Sequence, residues 1–345
     1  MTAIAHVGVV VVSYNVRDLL ARCLQSIVDG GPWTVDSAAW TVDGGQPSSH
    51  ASDHRSTVHG PRSYGPPSTL SVVDNASADG SAEMVRRDFP QFHLIASPDN
   101  LGFARGNNLA LREMIGRADA PDAILLLNPD AELLPGALAA LVACLDAHAE
   151  AGMAGAQLQY GDGRFQHGAF RFPSLAQIFL DFFPLNWRLT ASRLNGRYPR
   201  ALYDRNEPFA VDFVLGASML VRTAALRQVG LLDEGYFMYA EEMDWAWRMH
   251  AAGWSVYCAP AARVIHHEGQ SSRQFRERMY VALWRSRYRF FERYYPSAWR
   301  MLARRLVRLG VWAEARRARQ AAAQGAIDAA ELERRLQAYR EVSAL

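Results

Sequence analysis

The chain contains no lysine: all 37 of its basic residues are arginine, set against 35 acids for a formal net charge of +2. That absence removes every chemistry resting on an ε-amine, including a P-loop lysine, a Schiff base and a kinase-type lysine. The near-neutral balance argues against polyanion binding by the chain as a whole and leaves any basic character local. Cysteine is scarce. Cys23, Cys144 and Cys258 are far apart, odd in number and without CxxC spacing, which supports neither a disulfide framework nor a cysteine zinc site and fits a reducing compartment. No apolar run reaches the roughly 18 residues of a membrane span. The short apolar run at 6–13 lacks a basic leader and a cleavage site, so it reads as a buried strand and not a signal peptide. A cytoplasmic protein is the expectation.

What is present is apolar material in a regular rhythm. The 345 residues amount to about two domains, and with 50% of them hydrophobic they can bury a sizeable core. β-Branched runs at 7–12, 70–73, 93–96 and 123–127 predict strands, and helical patterns at 17–27, 81–88, 104–115 and 135–147 lie between them. This alternation predicts an α/β fold, a mostly parallel sheet covered by helices on both faces. Ligands of such sheets bind just beyond the carboxyl ends of the strands, so the polar residues ending each strand are the ones to weigh.

One segment breaks the rhythm. Residues 29–68 are rich in Gly, Ser, Pro, Asp and His and read as a flexible insertion, its His50, His54 and His59 too irregularly spaced for a metal site. From 152 to 210 the pattern loosens, with a hairpin expected around 160–164. Beyond it the patterning predicts a strand at 211–221, a short helix after Arg222, a helix at 241–252, and strands near 254–258 and 263–266. The tail after Ser272 is helical and basic: between Phe275 and Gln320 thirteen arginines face Glu277, Glu292 and Glu314, a local net charge of +10. With Trp284, Trp299 and Trp312 among them, these arginines suit peripheral contact with an anionic membrane, though a solvated helical face or a dimer contact would look the same. No recognised nucleic-acid-binding module accompanies them.

Three strand ends carry polar clusters. The second runs into Asp74-Asn75-Ala-Ser77-Ala-Asp79-Gly80-Ser81, where Asp74 could accept hydrogen bonds from a base or ribose and the same residues also suit a capped turn. The third gives Asn100-Leu-Gly102-Phe-Ala-Arg105-Gly106-Asn107-Asn108, with glycines, amides and an arginine at a helix start, as a diphosphate requires. It is not GxGxxG, so the dinucleotide fingerprint is missing. The fourth stops at Asn128-Pro129-Asp130, where one carboxylate plus neutral oxygens and water suits Mg²⁺ or Mn²⁺ shared with a diphosphate. Further on, Glu241-Glu242-Met-Asp244 opens a helix; acidic residues there also favour the helix N-terminus through its dipole. Trp245, Trp247 and Trp254 with Tyr236, Phe237 and Tyr239 could form a sugar-stacking platform, or simply core.

Taken in order, Ser13-Tyr14-Asn15, Asp74-Asn75-Ala-Ser77, the 100–108 run, Leu-Asn128-Pro-Asp130, Val211-Asp-Phe-Val-Leu-Gly216-Ala217, the 237–245 run and His266-His267-Glu-Gly-Gln-Ser-Ser272 resemble glycosyltransferase family two, in particular its bacterial rhamnosyltransferase-like branch. Each motif alone is weak, but seven in order are strong. The resemblance implies a GT-A nucleotide-diphospho-sugar transferase fold over 1–272, interrupted at 29–68 and followed by a C-terminal helical basic extension at 273–345. It implies inverting transfer of a sugar, rhamnose from dTDP-rhamnose or a sugar from a UDP donor, to a glycan or lipid-linked acceptor in cell-envelope synthesis. Asp130 and His266 are carried over as metal ligands for Mg²⁺ or Mn²⁺. Ser13, Tyr14, Asn15, Asp74, Asn75, Asn100, Gly102, Arg105, Asn108 and Asn128 are carried over to the nucleotide sugar, and Trp245 and Gly216 to the acceptor. Glu242 takes the role of base, with Glu241 or Asp244 as substitutes, because the family usually has Glu-Asp at 241–242. Asn128 likewise stands where the family has the first Asp of its Asp-x-Asp motif. These two departures leave a catalytically lapsed nucleotide-sugar binder as a second reading. A sugar nucleotidyltransferase is disfavoured, since Ser13-Tyr-Asn-Val-Arg17 does not resemble its Gly-rich loop.

Overall fold

The computed structural model of the chain describes residues 3–30, 70–185, 189, 192–267 and 276–345. Residues 31–68 of the expected insertion, with His50, His54 and His59, and Glu268 to Ser272 of the last motif lie outside the described residues.

Four strands begin the sheet: β1 (Val7–Ser13), β2 (Leu70–Asn75), β3 (His93–Ser97) and β4 (Ala123–Leu127). They pair in parallel in the order β3-β2-β1-β4. β1, β2 and β4 are buried along their whole length, as expected of strands covered on both faces. The sheet continues past β4 through β11 (Ser218–Arg222), β6 (Ala151–Gln159), β12 (Ser255–His266) and β5 (Ala131–Leu133). β11 runs antiparallel to both its neighbours, and β5 runs antiparallel to β12. β7 (Phe165–Gln166) closes the hairpin with β6, β9 (Phe209–Val211) pairs with β12, and β8 (Ala169–Phe170) pairs with β10 (Phe213–Val214).

Strand alternation sorts the core into two layers. Val9, Val11, Val72 and Leu125 face Leu20, Leu24 and Ile27 of α1 (Arg17–Asp29), Met84 and Val85 of α2 (Ser81–Asp88), and Leu141 and Leu145 of α4 (Ala137–Ala147). Val10, Val12, Ile124 and Leu126 face the other way, toward Leu111 and Met114 of α3 (Gly102–Ile115) and the helices that come later in the chain. Each such aliphatic side chain, fully buried, contributes roughly 1.5–3 kcal/mol.

The second half differs from its sequence pattern in three places. The loose region beginning at 152 starts with β6, a central strand whose small residues Ala151-Gly-Met-Ala-Gly-Ala156 carry little β-propensity and are held by β11 and β12. The single strand expected at 211–221 is three pieces, because Asp212 turns out to accept from Phe172 N (2.8 Å) and Tyr198 Oη (2.9 Å). The two strands near 254–258 and 263–266 are one strand with an irregularity between Ala259 and Arg263.

Helices α5 (Leu175–Phe182), α6 (Arg200–Asp204), α7 (Thr223–Val229) and α8 (Glu241–Ala251) precede the C-terminal α9 (Arg276–Tyr294), α10 (Ser297–Ala323) and α11 (Ala329–Ala344). The arginine-rich helices are no free tail. Trp284, Phe290, Phe291, Val307 and Val311 share one core with Ile178 and Phe182 of α5 and with Tyr236, Ala240 and Met243. Trp284 stacks on Phe182 with centroids 5.2 Å apart. Of the three tryptophans expected to face a membrane, Trp284 is buried, Trp299 is half-buried against Phe291 and Tyr295, and Trp312 is exposed. Among the described residues no helix is long and apolar enough to cross a membrane.

Candidate active site

A cavity of about 510 Å³ opens beyond the carboxyl ends of β1, β2 and β4. Val12 to Tyr14 and Asn75 form its floor, Asn100, Gly102 and Phe103 one side, and Asn128 to Asp130 with Leu215 to Ala217 another. Phe237 to Tyr239, Glu241, Glu242, His266, Arg278 and Met279 complete its lining. A hollow of similar volume lies by the amino end of β3, lined by Phe92, His93, Glu113 and Arg117. It sits at the wrong end of the strands for a ligand site in a parallel sheet and holds no orphaned polar atom.

The first cavity is distinguished by buried polar atoms without partners. Ser13 Oγ, Asn75 Oδ1, Asn128 Oδ1 and Glu241 Oε2 on its walls, and Asp74 Oδ1 beside it, are buried and make no hydrogen bond. Such atoms are costly in a finished core and expected where a polar ligand completes them. Local geometry holds them in place. Asp74 Oδ2 accepts from Ser77 N (3.1 Å) and Asn75 Nδ2 donates to Gly102 O (3.1 Å). Gly102 has φ +75°, and a Cβ there would meet Phe237 O at 2.3 Å, so only glycine lets the start of α3 approach the 237–239 segment. Asn100 Oδ1 caps that turn by accepting from Gly102 N (3.0 Å).

Asp130 and His266 are brought together by the β5–β12 ladder, in which His266 pairs with Ala131. Both are buried, and Asp130 Oδ1 lies 3.5 Å from His266 Nε2. His266 Nδ1 lies 3.2 Å from Gln166 Oε1. One ring nitrogen thus lies beside the Gln166 amide and the other beside the Asp130 carboxylate. This is the arrangement a metal-binding histidine takes, its second nitrogen fixed by an outer acceptor. Among the described residues no three His, Cys, Asp or Glu side chains gather to hold an ion. A divalent cation would therefore have this pair and draw its other ligands from phosphate and water, as Mg²⁺ commonly does.

The acid pair stands at the start of α8 and lines the same cavity. Tyr239 and Ala240 before it have φ of +69° and +67°, uncommon for residues with a Cβ and typical of strain held at a functional site. Both carboxyls are buried. Burial, then the charge of Glu242, pushes the Glu241 carboxyl well above the usual range, and burial pushes Glu242 up to about 7. A carboxylate titrating near neutrality suits a general base.

Several residues assigned to the site from the sequence do other work. Asp244 is fully buried below the cavity and bonded to Arg248 Nε (2.8 Å), Tyr294 Oη (2.7 Å) and Arg293 (3.3 Å), so it cannot serve as a substitute base. Trp245 is fully buried, its Nε1 donating to Gly230 O (2.8 Å), which makes it core and not an acceptor contact. Asn108 clamps Leu232 through both its amide atoms, and Arg105 points to Glu234 (3.8 Å). Asn15 ties the β1 loop to the β2 loop through Ser77 Oγ and Ala78 N. Of the expected platform, Phe237 and Tyr239 alone line the cavity; Trp247 packs against Phe172, Phe290 and Tyr294. Gly216 lies on the wall, with Phe103 3.6 Å from where a Cβ would be. His267 turns away to Glu132 (2.7 Å). Sequence reasoning missed Phe103, Met238, Gln166, and above all Arg278 and Met279, which α9 carries to the cavity from a segment read as a separate tail.

A sheet of this order, with a polar cavity beyond its parallel carboxyl ends lined by an acid pair and a carboxylate–imidazole pair, has the form of a group-transfer enzyme. The glycosyl transferase family 2 model matches residues 57–230, about half of the chain. The chain belongs to that family and is a glycosyltransferase. It is similar to N-acetylglucosaminyl-diphospho-decaprenol L-rhamnosyltransferase of Mycobacterium tuberculosis, with 32% identity over 60% of this chain and 68% of that protein. It is also similar to rhamnosyltransferase WbbL of Escherichia coli, with 27% identity over 55% of this chain and 69% of that one. Among solved structures, the mannosyltransferase PcManGT of Pyrobaculum calidifontis, in complex with GDP-Man and Mn²⁺, superposes with a TM-score of 0.52 over 99% of this chain and 87% of that one, at 18% identity. That likeness speaks for a shared GT-A fold.

Proposed function

We propose that the protein is an inverting rhamnosyltransferase that moves rhamnose from dTDP-rhamnose to a lipid-linked acceptor, at the cytoplasmic face of the membrane, during cell-envelope glycan assembly. The observation that carries the reaction type is the buried Glu241–Glu242 pair lining one cavity with Asp130 and His266. The sugar and the acceptor class rest on the similarity to two rhamnosyltransferases.

In this reading Asp74, Ser13 and Asn75 take the nucleoside with their unpaired oxygens, and Asn128 and the start of α3 take the diphosphate. Glu242, deprotonated, takes the proton from the acceptor hydroxyl as its oxygen attacks the anomeric carbon from the face opposite the diphosphate. The bond from that carbon to the diphosphate oxygen breaks, the electron pair leaves with the nucleoside diphosphate, and inversion follows from the single displacement. Asp130 and His266 would hold Mg²⁺ or Mn²⁺, which neutralises charge on the departing diphosphate. Arg278 lends the same cavity a permanent positive charge.

The test is incubation with dTDP-rhamnose and a polyprenyl-diphospho-sugar, followed by the anomeric configuration of the product from its NMR couplings. Inverted product is expected, and retained configuration would overturn the single displacement. Transfer from a UDP-sugar in place of dTDP-rhamnose would overturn the donor assignment.

A further inference from the structure

Helix α10 has two faces. Ala303, Val307, Gly310, Val311 and Ala318 are buried against the core that α5 and α9 share with it. At 100° per residue the opposite half is centred on Arg305, Trp312 and Arg316. Met301 (51% exposed), Leu302 (45%), Leu309 (50%) and Trp312 (58%) stand on that half. They are four of the seven large apolar side chains exposed among the described residues, so more than half of those side chains stand on one helix face.

Arg305, Arg308, Arg316 and Arg319 stand between them, exposed. None has a carboxylate partner among the described residues. Arg308 Nε reaches only Ser343 O (3.4 Å), and Arg316 lies over the Trp312 ring at 5.9 Å. The nearby acids are already taken: Glu314 by Arg317, and Glu292 by Arg304 (2.8 Å). The face is thus strongly cationic on a chain whose net charge is only +2.

We propose that this face of α10 docks on an anionic lipid bilayer, with Trp312, Leu309, Leu302 and Met301 at headgroup depth and the arginines on lipid phosphates. An interfacial helix presents this combination of large apolar and basic side chains, and each arginine near an anionic surface adds about 1 kcal/mol. A second copy of the chain fits poorly, because a two-fold contact sets the same arginines against each other with no acid between them. Nucleic acid would satisfy the arginines but leave the interleaved leucines and methionine exposed. The inference goes beyond the transfer reaction and does not depend on it.

The test is co-sedimentation of the full chain with phosphatidylcholine vesicles, with and without phosphatidylglycerol, which contain neither donor nor acceptor. Binding is expected only with phosphatidylglycerol and is expected to fall with salt. Arg305→Gln with Arg316→Gln, and separately Leu309→Ser with Trp312→Ser, should each weaken it about tenfold or more. Because these side chains are exposed, the melting temperature should not move. Equal binding to both vesicle types, no binding to either, or binding that both double variants retain would overturn the proposal. So would light scattering that shows a dimer which the same variants dissociate, or nucleic acid that binds the face more tightly than the vesicles and displaces the chain from them.

Discussion

Replacing Glu242 by Gln should slow the enzyme and stabilise the protein, two effects of opposite sign from one carboxyl. The folded state holds the Glu242 proton up to a pH of about 7, whereas an ordinary glutamate loses it near 4.5. Between those values the folded protein binds a proton that the unfolded chain has released, so the free energy of unfolding falls as pH rises through the interval. About 2.5 units at about 1.4 kcal/mol each gives roughly 3 to 4 kcal/mol of destabilisation fully expressed above pH 7. A neutral glutamine of nearly the same shape removes that cost and also eases the charge beside Glu241. Urea unfolding at pH 8 should therefore show Glu242→Gln more stable than the parent by up to about 3 to 4 kcal/mol, with little difference at pH 4. Turnover should fall by about a thousandfold, within the range for loss of a general base. In the parent, kcat/KM should rise with pH and level off above about 7. A variant that keeps its activity, or that is less stable at pH 8, would refute the reasoning.

Gly102→Ala should destabilise the fold by at least about 1 kcal/mol from its positive φ alone, and by more because its Cβ meets the Phe237 carbonyl at 2.3 Å; thermal unfolding and donor affinity should fall together. Trp284→Ala should cost about 3–5 kcal/mol, because Trp284 stacks on Phe182 in a core shared by α5, α9 and α10. A single cooperative melt at lower temperature is expected, whereas an unchanged melt would mean the C-terminal helices fold apart from the rest. Arg278→Gln should raise the KM of one substrate, since Arg278 lines the cavity; unchanged kinetics would remove it from the site.

The first half of the fold was legible because its strands and helices obey local rules: β4 ends at Leu127 and α2 spans Ser81 to Asp88, as their patterns predict. β6 was not, since its alanines and glycines become a strand only by pairing with β11 and β12. The polar strand ends pointed correctly to the cavity, but a linear pattern cannot tell an acid that faces it from one beneath it. Glu242 and Asp244 lie two residues apart on α8, and one lines the cavity while the other is held by Arg248 and Tyr294. Trp245 likewise looked like a sugar platform until its indole was found sealed under Gly230. Arg278 was hidden for another reason: its place in the site depends on how α9 packs, a contact between segments far apart in the chain.

The most direct measurement of the central claim is a thermal-shift panel of dTDP-, UDP- and GDP-sugars, each with and without Mn²⁺, on the parent and on Asp130→Ala. A donor that binds only the folded state raises the melting temperature by mass action and needs no acceptor. The account predicts a metal-dependent rise with dTDP-rhamnose in the parent that is lost in Asp130→Ala while the variant's own melt stays near the parent's. No shift with any donor, or an equal shift in the variant, would contradict it.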